Sequence, residues 1–156
     1  MVVPAVRSRN FSLCAALSCQ GLINYDVIDR AFRATDFREF LEGLIDLLKT
    51  EHENEKFIFI ADNASIHKVR NIRELVEAVG FILLFLPPYS PFLNPIENSF
   101  SKWKGHVKLL TCNNEEDLLS GIKNEFKIVT GRDCENYFTK MLFYINESRL
   151  RREIVE

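Results

Sequence analysis

The twenty residues from 81 to 100 read FILLFLPPYSPFLNPIENSF and contain four of the chain's five prolines. The opening run of six apolar residues predicts a strand that is buried on both faces. Pro87 and Pro88 end this strand, because proline cannot donate to a sheet ladder. After the proline-rich loop, apolar residues recur at helical spacing, so a helix is expected to begin near Asn94 or Pro95. This stretch therefore predicts a strand, a rigid loop and a helix in immediate succession.

The segment before this stretch predicts a second strand of the same kind. FIFIAD, residues 57–62, is another short apolar run, as expected for a strand buried on both faces. Between the two strands, apolar residues from Ile66 to Val79 mark an amphipathic helix that Gly80 ends. The two strands are therefore expected to lie side by side, with the helix as their connection.

Residues 9–29, further towards the N-terminus, predict a β-hairpin. Apolar side chains alternate in RNFSLCAALS, CQG offers a turn, and LINYDVI predicts the returning strand. A helical apolar stripe follows in TDFREFLEGLIDLLKTE, with Thr35 or Asp36 as the expected N-cap.

Two more helices are predicted towards the C-terminus, at roughly 115–129 and 133–150. The element order is thus β-β-α-β-α-β-α, followed by extra helices. Strands that alternate with helices indicate an α/β layer fold, and the opening hairpin makes its sheet mixed. At 156 residues the chain is long enough for one domain and too short for two comfortable ones.

Two carboxylates are the candidate catalytic and metal-binding residues. Asp62 stands at the C-terminal end of its strand, where ligands gather in open α/β sheets. Thirty-four residues separate it from Glu97, which lies in the first turn of the helix that follows the proline loop. The two can meet at one sheet edge, and such oxygen ligands suit Mg²⁺ or Mn²⁺. Two-metal phosphoryl transfer, the chemistry considered for this site, needs a dense carboxylate cluster.

Two local explanations of these carboxylates require no metal. An aspartate after a strand often caps a helix or closes a turn, and the sequence DNAS offers such turn hydrogen bonds. A glutamate in the first turn of a helix interacts favourably with the helix dipole. On spacing alone these alternatives stay open.

The residues around both carboxylates match a known pattern. FIFIADNASIHK followed by FLPPYSPFLNPIENSFSKWK closely resembles the catalytic domain of mariner-type and related insertion-sequence transposases. These enzymes form the Asp-Asp-Glu (DDE) group, with the ribonuclease H-like fold of retroviral integrases. The resemblance covers roughly residues 3–110. It implies a ribonuclease H-like mixed sheet flanked by helices, with residues 111–156 as the helical C-terminal part of the same domain.

The resemblance also implies roles for individual residues. Asp62 matches the second metal-binding carboxylate of the triad, and Glu97 matches the third. The prolines of the loop would then hold a catalytic first turn in place. The positions expected to contact DNA are Asn63, His67, Lys68, Asn94, Ser101, Lys104 and Lys108.

The first carboxylate of the triad has no counterpart here. In the family it lies on the first strand, upstream of the segment that matches VPAVRSRNF, and this chain begins at Met1 just after that place. We therefore expect residues 1–110 to form a truncated catalytic domain that lacks a central strand between the hairpin and the strand at 57–62. Unpaired ladder groups would then be exposed. Marginal stability, weakened metal binding and impaired catalysis follow as expectations, with a homodimer as one way to cover the gap.

Charge supports DNA as a partner only locally, because the net charge of the whole chain is −2. Residues 63–110 carry six basic side chains against three acidic ones. On the helix that bears Glu97, Ser101, Lys104 and Lys108 follow at helical spacing and share its face. Lysines beside a metal site suit phosphate neutralisation. An ordinary solvated helix face is the alternative.

Composition excludes several other classes of protein. The sequence contains no apolar run of 18 or more residues, so no membrane span is expected. The N-terminus lacks the apolar core of a secretory signal. The four cysteines show neither CxxC nor zinc-finger spacing, so we expect reduced thiols in an intracellular protein. A DNA substrate implies the nucleus in a eukaryote or the cytoplasm in a bacterium.

Three functions are consistent with these observations. The first is a transposase-type domain derived from an enzyme that cuts and joins DNA with Mg²⁺ or Mn²⁺. The second is a non-catalytic DNA-binding relic that keeps the basic helix. The third is a decayed gene fragment without a selected role.

Overall fold

The computed structural model describes residues 11–64, 70–110 and 115–150. The predicted order of elements is confirmed within these ranges. The strands are β1 (Ser12–Ser18), β2 (Gly21–Ile28), β3 (Ile58–Ala61) and β4 (Ile82–Phe85). The helices are α1 (Ala34–Glu51), α2 (Arg70–Ala78), α3 (Pro95–Val107), α4 (Glu115–Glu125) and α5 (Gly131–Arg149), with short 3₁₀ turns at Pro91–Leu93 and Phe126–Ile128.

The N-terminal hairpin pairs β1 with β2 in antiparallel register, from Ser12 opposite Ile28 to Ser18 opposite Gly21. The register shifts by a bulge between Ala16 and Leu17. Gly21 has φ of +153° at the turn, a conformation that L side chains rarely adopt. The alternating apolar pattern therefore predicted this element correctly.

The second sheet pairs β3 with β4 in parallel, from Ile58 opposite Ile82 to Ala61 opposite Phe85. Backbone hydrogen bonding extends past the last pair, because the Leu86 N–H donates to the Ala61 carbonyl at 2.9 Å. Both strands consequently end at the same edge, as the crossover connection requires.

Within the described residues these pairs are two separate two-stranded sheets, β1–β2 and β3–β4. No described strand connects the hairpin to the parallel pair. The described strands therefore include both antiparallel and parallel pairing, within a mixed α/β architecture.

One hydrophobic cluster fills the space between α1, α2 and the inner face of the parallel pair. Its fully buried members include Leu48, Ile72, Val76 and Leu83, each at most 2% exposed. Side chains from one face of the hairpin, Cys14, Ala16 and Ile23, pack against the same cluster.

A second cluster covers the opposite face of the hairpin with α3, α4 and α5. Phe126 is fully buried at its centre, with ring centroids 5.3 Å from Tyr25 and 6.2 Å from Trp103. The Trp103 indole N–H donates to the Ile122 carbonyl at 3.0 Å. The helical C-terminal part thus packs directly onto the hairpin.

The outer face of the parallel pair is open. Its four aliphatic side chains are roughly half exposed: Ile58 57%, Ile60 54%, Ile82 49% and Leu84 49%. The prediction that both strands are buried on both faces is wrong for this face, because the described helices cover only the inner one. We call these four residues the open sheet face.

The helix ends follow local sequence with one exception. Gly80, at φ +78°, follows the end of α2, and its N–H donates to the Glu77 carbonyl at 3.0 Å. The expected cap of α1 at Thr35 or Asp36 is wrong, because the helix begins at Ala34. Asp36 instead accepts the Arg33 N–H at 2.8 Å from within the first turn.

The structure also bears on two earlier expectations, that the cysteines are reduced thiols and that the chain has no membrane-spanning helix. Cys14, Cys19 and Cys134 are free thiols, and Cys112 lies outside the described residues. Burial, followed by the nearby Asp26 carboxylate, raises the pKa of the Cys14 thiol to about 12, so it stays protonated. Among the described helices, none combines the length and the apolar character that crossing a lipid bilayer requires.

Candidate active site

Asp62 follows the last residue of β3 and is held by its own turn. Its Oδ1 accepts the backbone N–H of Ala64 at 2.9 Å, and the side chain is half-buried. The turn explanation of this residue is therefore correct as far as it goes. A carboxylate fixed in this way is also oriented, which a metal ligand requires.

The proline loop leaves β4 at the same edge and is tied by short hydrogen bonds. The Leu93 N–H donates to the Ser90 carbonyl at 3.1 Å, and the Asn94 N–H donates to the Pro91 carbonyl at 2.9 Å. These bonds form the 3₁₀ turn at Pro91–Leu93. Because each proline fixes its own φ, the loop has few alternative conformations.

The loop delivers Glu97 into the first turn of α3, where the sequence predicted it. Asn94 caps this helix, since its Oδ1 accepts the Ile96 N–H at 3.4 Å. Pro95 follows as the first helical residue, a position where proline loses no hydrogen bond. Glu97 itself is exposed.

Asp62 and Glu97 line the same pocket, whose volume is about 420 Å³. The predicted site residues Asn63 and Asn94 line it as well. Its remaining walls come from Ala64 and from the proline loop: Leu86, Pro87, Pro88, Tyr89, Ser90 and Pro91. The tertiary structure therefore brings together two carboxylates that lie far apart in sequence.

The donors in this pocket are of the chemical kind that a hard divalent cation prefers. Carboxylate and amide oxygens are the ligands that Mg²⁺ and Mn²⁺ prefer, and Mg²⁺ commonly keeps several waters beside one or two carboxylates. In the part of the chain that the structure describes, no group of three or more histidine, cysteine or acidic side chains could hold a metal ion. The described donors are therefore fewer than two-metal catalysis normally uses.

The residues of the predicted basic face of α3 are all exposed. Ser101 and Lys104 are exposed on the helix, and Lys108 is exposed immediately after its last residue. Among the described residues, neither lysine has an ion-pair partner. Lys102, by contrast, donates to Asp133 on α5 at 2.7 Å. Lys104 and Lys108 are thus available to meet phosphate, whereas Lys102 is held by Asp133.

Not every predicted residue can be placed, and one feature of the pocket was missed. His67 and Lys68 lie outside the described residues. Tyr89 lines the pocket and is 98% exposed, although no sequence motif assigned it a role. Its position between prolines, beyond the end of a buried strand, was the signal that could have found it.

Comparison with known proteins gives both a family and a fold. The sequence model described as DDE superfamily endonuclease matches residues 2–119. No curated protein sequence matches the chain.

Solved structures of the Mos1 mariner transposase superimpose well on the chain. The Mos1 catalytic domain with raltegravir and Mg gives a TM-score of 0.69 at 21% identity, covering 83% of this chain and 68% of that one. The Mos1 paired-end complex with Mg gives 0.78 at 20% identity, covering 99% and 48%. The pre-cleavage Mos1 transpososome gives 0.77 at 18% identity, covering 100% and 48%.

At this level of identity the likeness shows a common fold. The ribonuclease H-like architecture expected from the sequence is therefore confirmed. The chain spans about half the length of the transposase chains in the paired-end complex and in the pre-cleavage transpososome.

Proposed function

The chain belongs to the DDE superfamily of endonucleases, and we propose that it is a transposase-type domain that binds DNA and holds a divalent metal ion beside the DNA backbone. The observation that carries this proposal is the pocket shared by Asp62 and Glu97. The complexes of Mos1 with Mg and with Mn support the choice of metal. The Mos1 strand transfer complex supports the assignment to DNA strand cleavage and transfer.

The two carboxylates would hold the metal, with water at its remaining positions. A bound Mg²⁺ or Mn²⁺ supplies positive charge that stabilises the charge developing on a phosphodiester. The chain's own residues do the rest. The Ala64 N–H orients Asp62, and the capped first turn of α3 fixes the backbone position of Glu97. Lys104 and Lys108 neutralise neighbouring phosphates on the same face of the helix.

We further propose that this chain is a weak catalyst by itself. The described pocket contains two carboxylates, whereas cleavage by two metal ions relies on a denser cluster. One ion held by two acidic ligands is expected to bind weakly. The alternative function, a DNA-binding relic without catalysis, is favoured by the same shortage of ligands together with the exposed lysines.

Calorimetric titration with Mn²⁺ tests the metal site. Asp62→Asn and Glu97→Gln should each weaken binding about tenfold, because each removes one of two charged ligands. Glu135→Gln, an exposed carboxylate on α5, is the matched control and should bind as the wild type does. Equal Mn²⁺ binding by all four proteins would contradict the site.

Plasmid nicking separates the catalytic proposal from the relic. We expect little nicking of supercoiled plasmid in Mg²⁺, and any nicking present should disappear in Asp62→Asn. Efficient nicking that depends on Asp62 would show that the proposed impairment is wrong. DNA binding that ignores both EDTA and Asp62→Asn would favour the relic.

The salt dependence of DNA binding tests the basic face. Replacing both Lys104 and Lys108 with alanine should weaken binding to any sequence and reduce the slope of log K against log salt by about 2, since each phosphate contact contributes about 0.9. Lys123→Ala changes an exposed lysine on α4 and serves as the control. An unchanged slope in the double variant would exclude this face as the DNA contact.

We also propose that two copies of the chain associate through the open sheet face. Parallel strands are almost always covered on both faces, and this face leaves four half-exposed aliphatic side chains in water. Sedimentation of Ile60→Thr/Leu84→Thr tests the proposal. The variant should shift towards monomer at a concentration where the wild type is dimeric. A wild-type chain that stays monomeric at every concentration would rule out the homodimer.

A further inference from the structure

Tyr89 combines two features that folding does not explain. Its side chain is 98% exposed, so the ring contributes almost no hydrophobic burial. Its backbone φ is +58°, and it is the only residue other than glycine with positive φ among those described. Left-handed backbone disfavours bulky L side chains, and glycine or asparagine occupies such positions at lower energy. For stability alone, tyrosine is a poor residue here.

The loop around Tyr89 holds the ring in this exposed position. Pro87 and Pro88 precede it, and Ser90, which follows it, donates its hydroxyl to the Pro88 carbonyl at 3.4 Å. The 3₁₀ turn at Pro91–Leu93 fixes the other side. A strained, exposed residue in a rigid loop is the kind of position where strain serves function. The aromatic ring is therefore presented to solvent in advance of any ligand.

The ring stands beside the pocket that contains both carboxylates. Tyr89, Asp62 and Glu97 all line it, and its volume of about 420 Å³ is in the range of small-molecule sites. A nucleotide whose phosphate meets a metal ion held by the two carboxylates therefore has its base or sugar near the Tyr89 ring. Stacking of a base on an aromatic side chain contributes about 1–3 kcal/mol and tolerates any base, because every base has a π-face.

We propose that Tyr89 is a stacking platform for an unpaired base of the DNA strand whose phosphate lies at the Asp62–Glu97 pocket. This inference rests on the proposed function and adds to it a preference for unpaired over paired DNA. A paired base has both faces covered by its neighbours, so Tyr89 favours single-stranded or frayed DNA over blunt duplex. A protein partner could also use an exposed tyrosine, but the carboxylates in the same pocket favour a ligand that brings a metal ion and phosphate.

Three substitutions in the full chain distinguish the effect of losing the Tyr89 ring from the effect of its backbone conformation. Tyr89→Phe keeps the ring, whereas Tyr89→Asn removes it and tolerates positive φ. Phe143→Ala removes an aromatic ring on α5 that is 58% exposed and does not line the pocket. Unfolding temperatures report folding separately from binding, and Tyr89→Asn should melt at or above the wild-type temperature.

The probe is a short single-stranded oligonucleotide that carries one 2-aminopurine, compared with a blunt duplex of the same sequence. The wild-type chain should quench 2-aminopurine, as stacking does, and bind the single strand more tightly. Tyr89→Asn should abolish the quenching and weaken single-strand binding about tenfold, with a smaller effect on the duplex. Tyr89→Phe should stay within about twofold of the wild type, and Phe143→Ala should bind as the wild type does.

Each other outcome overturns the inference in an identifiable way. If Tyr89→Asn binds the single strand normally while the Lys104/Lys108 double variant does not, stacking is wrong and the proposed DNA binding stands. If Phe143→Ala loses as much affinity as Tyr89→Asn, the loss is not specific to this loop. If the wild type binds neither DNA, the proposed function fails as well. A Tyr89→Asn variant that loses self-association instead of DNA binding would assign the ring to a protein contact.

Discussion

The two sheets of this molecule have the same number of strands and very different surroundings. The hairpin β1–β2 is covered on both faces, because alternate side chains enter two separate clusters. Cys14 and Ala16 pack against the α1–α2 cluster, whereas Leu13 and Ala15 pack against the α3–α5 cluster. The parallel pair β3–β4 has one covered face and the open sheet face. The stability of a strand pair therefore depends on which elements pack on each of its two faces.

This contrast matters for the site, because Asp62 ends a strand of the less covered pair. The inner side chains of β3 and β4 are packed, while their outer neighbours contribute little burial in the single chain. The position of Asp62 thus depends on one-sided packing and on the Asx turn to Ala64. A second copy of the chain that covers the open sheet face should therefore also restrict the motion of the Asp62 carboxylate.

The largest expected effect comes from the centre of the doubly covered region. Phe126→Ala removes a ring with no exposed surface and should lower the free energy of unfolding by about 3–5 kcal/mol, measured by urea denaturation. Phe126→Leu keeps most of the side-chain volume and can be measured instead if the alanine variant does not fold. Phe143→Ala is the exposed control. A loss below about 1 kcal/mol at Phe126 would mean that the second cluster is not a real core.

The two faces of the parallel pair can be compared within one strand. Leu83 is 1% exposed and Leu84 is 49% exposed, so the same substitution at neighbouring positions probes opposite faces. Leu83→Ala should cost about 2–3 kcal/mol in unfolding free energy, and Leu84→Ala less than about 1 kcal/mol. Equal losses measured on a dilute, monomeric sample would show that the outer face is covered after all.

A smaller effect is expected where α5 meets the hairpin turn. A Cβ added at Gly131 would lie 2.6 Å from the Gln20 carbonyl oxygen, closer than real Cβ contacts allow. Gly131→Ala should therefore lower the free energy of unfolding by about 1–3 kcal/mol, because turn and helix must separate. Gly105→Ala has open space around it and should raise stability by about 0.5–1 kcal/mol. If both alanine variants are stabilised, the close contact of turn and helix is wrong.

The smallest expected effect is a dependence on pH. Lys102, followed by Thr130, lowers the pKa of the Asp133 carboxyl to about 2 from its ordinary value of 3.8. The charged form is favoured in the folded state, so its contribution is complete above pH 3.8 and is lost as the pH falls towards 2. Both groups are partly exposed, so the effect should be modest.

Melting temperatures of wild type and Asp133→Asn test this linkage. The difference between the two should be constant above about pH 5 and should shrink as the pH approaches 2. Asp36 also has a pKa of about 2, through its hydrogen bond from Arg30, and it is unchanged in both proteins. A difference that does not vary with pH would mean that the Lys102–Asp133 pair does not link α3 to α5 in solution.

Sequence patterns predicted local structure well. Alternation gave the hairpin, and periodicity gave the amphipathic helices. The residues of the proline loop predicted that α3 begins near Asn94 or Pro95, and it begins at Pro95. Each of these features depends on a few neighbouring residues, whose φ, hydrogen-bonding groups and side-chain spacing are written directly in the sequence.

Other features could not be obtained in this way, because they depend on side-chain contacts and packing that the sequence patterns do not specify. Asp36 was expected to cap α1, but the Arg33 N–H and the Arg30 side chain turn it into a first-turn acceptor. Lys102 is one of the six basic residues counted in the 63–110 segment, yet its partner Asp133 lies 31 residues away and is not apparent from the sequence pattern. The strands β3 and β4 have the composition of fully buried strands, and nothing in that composition shows that one face stays open.

The sequence by itself determined the order of the elements and the rigidity of the loop before α3, since both follow from local chemistry. The resemblance to transposases, rather than local chemistry, selected Asp62 and Glu97 as the candidate carboxylates. Only the tertiary structure decided that Asp62 and Glu97 share a pocket with an exposed Tyr89. Convergence of this kind depends on how strands and helices pack over long distances, and packing is a property of the whole folded chain.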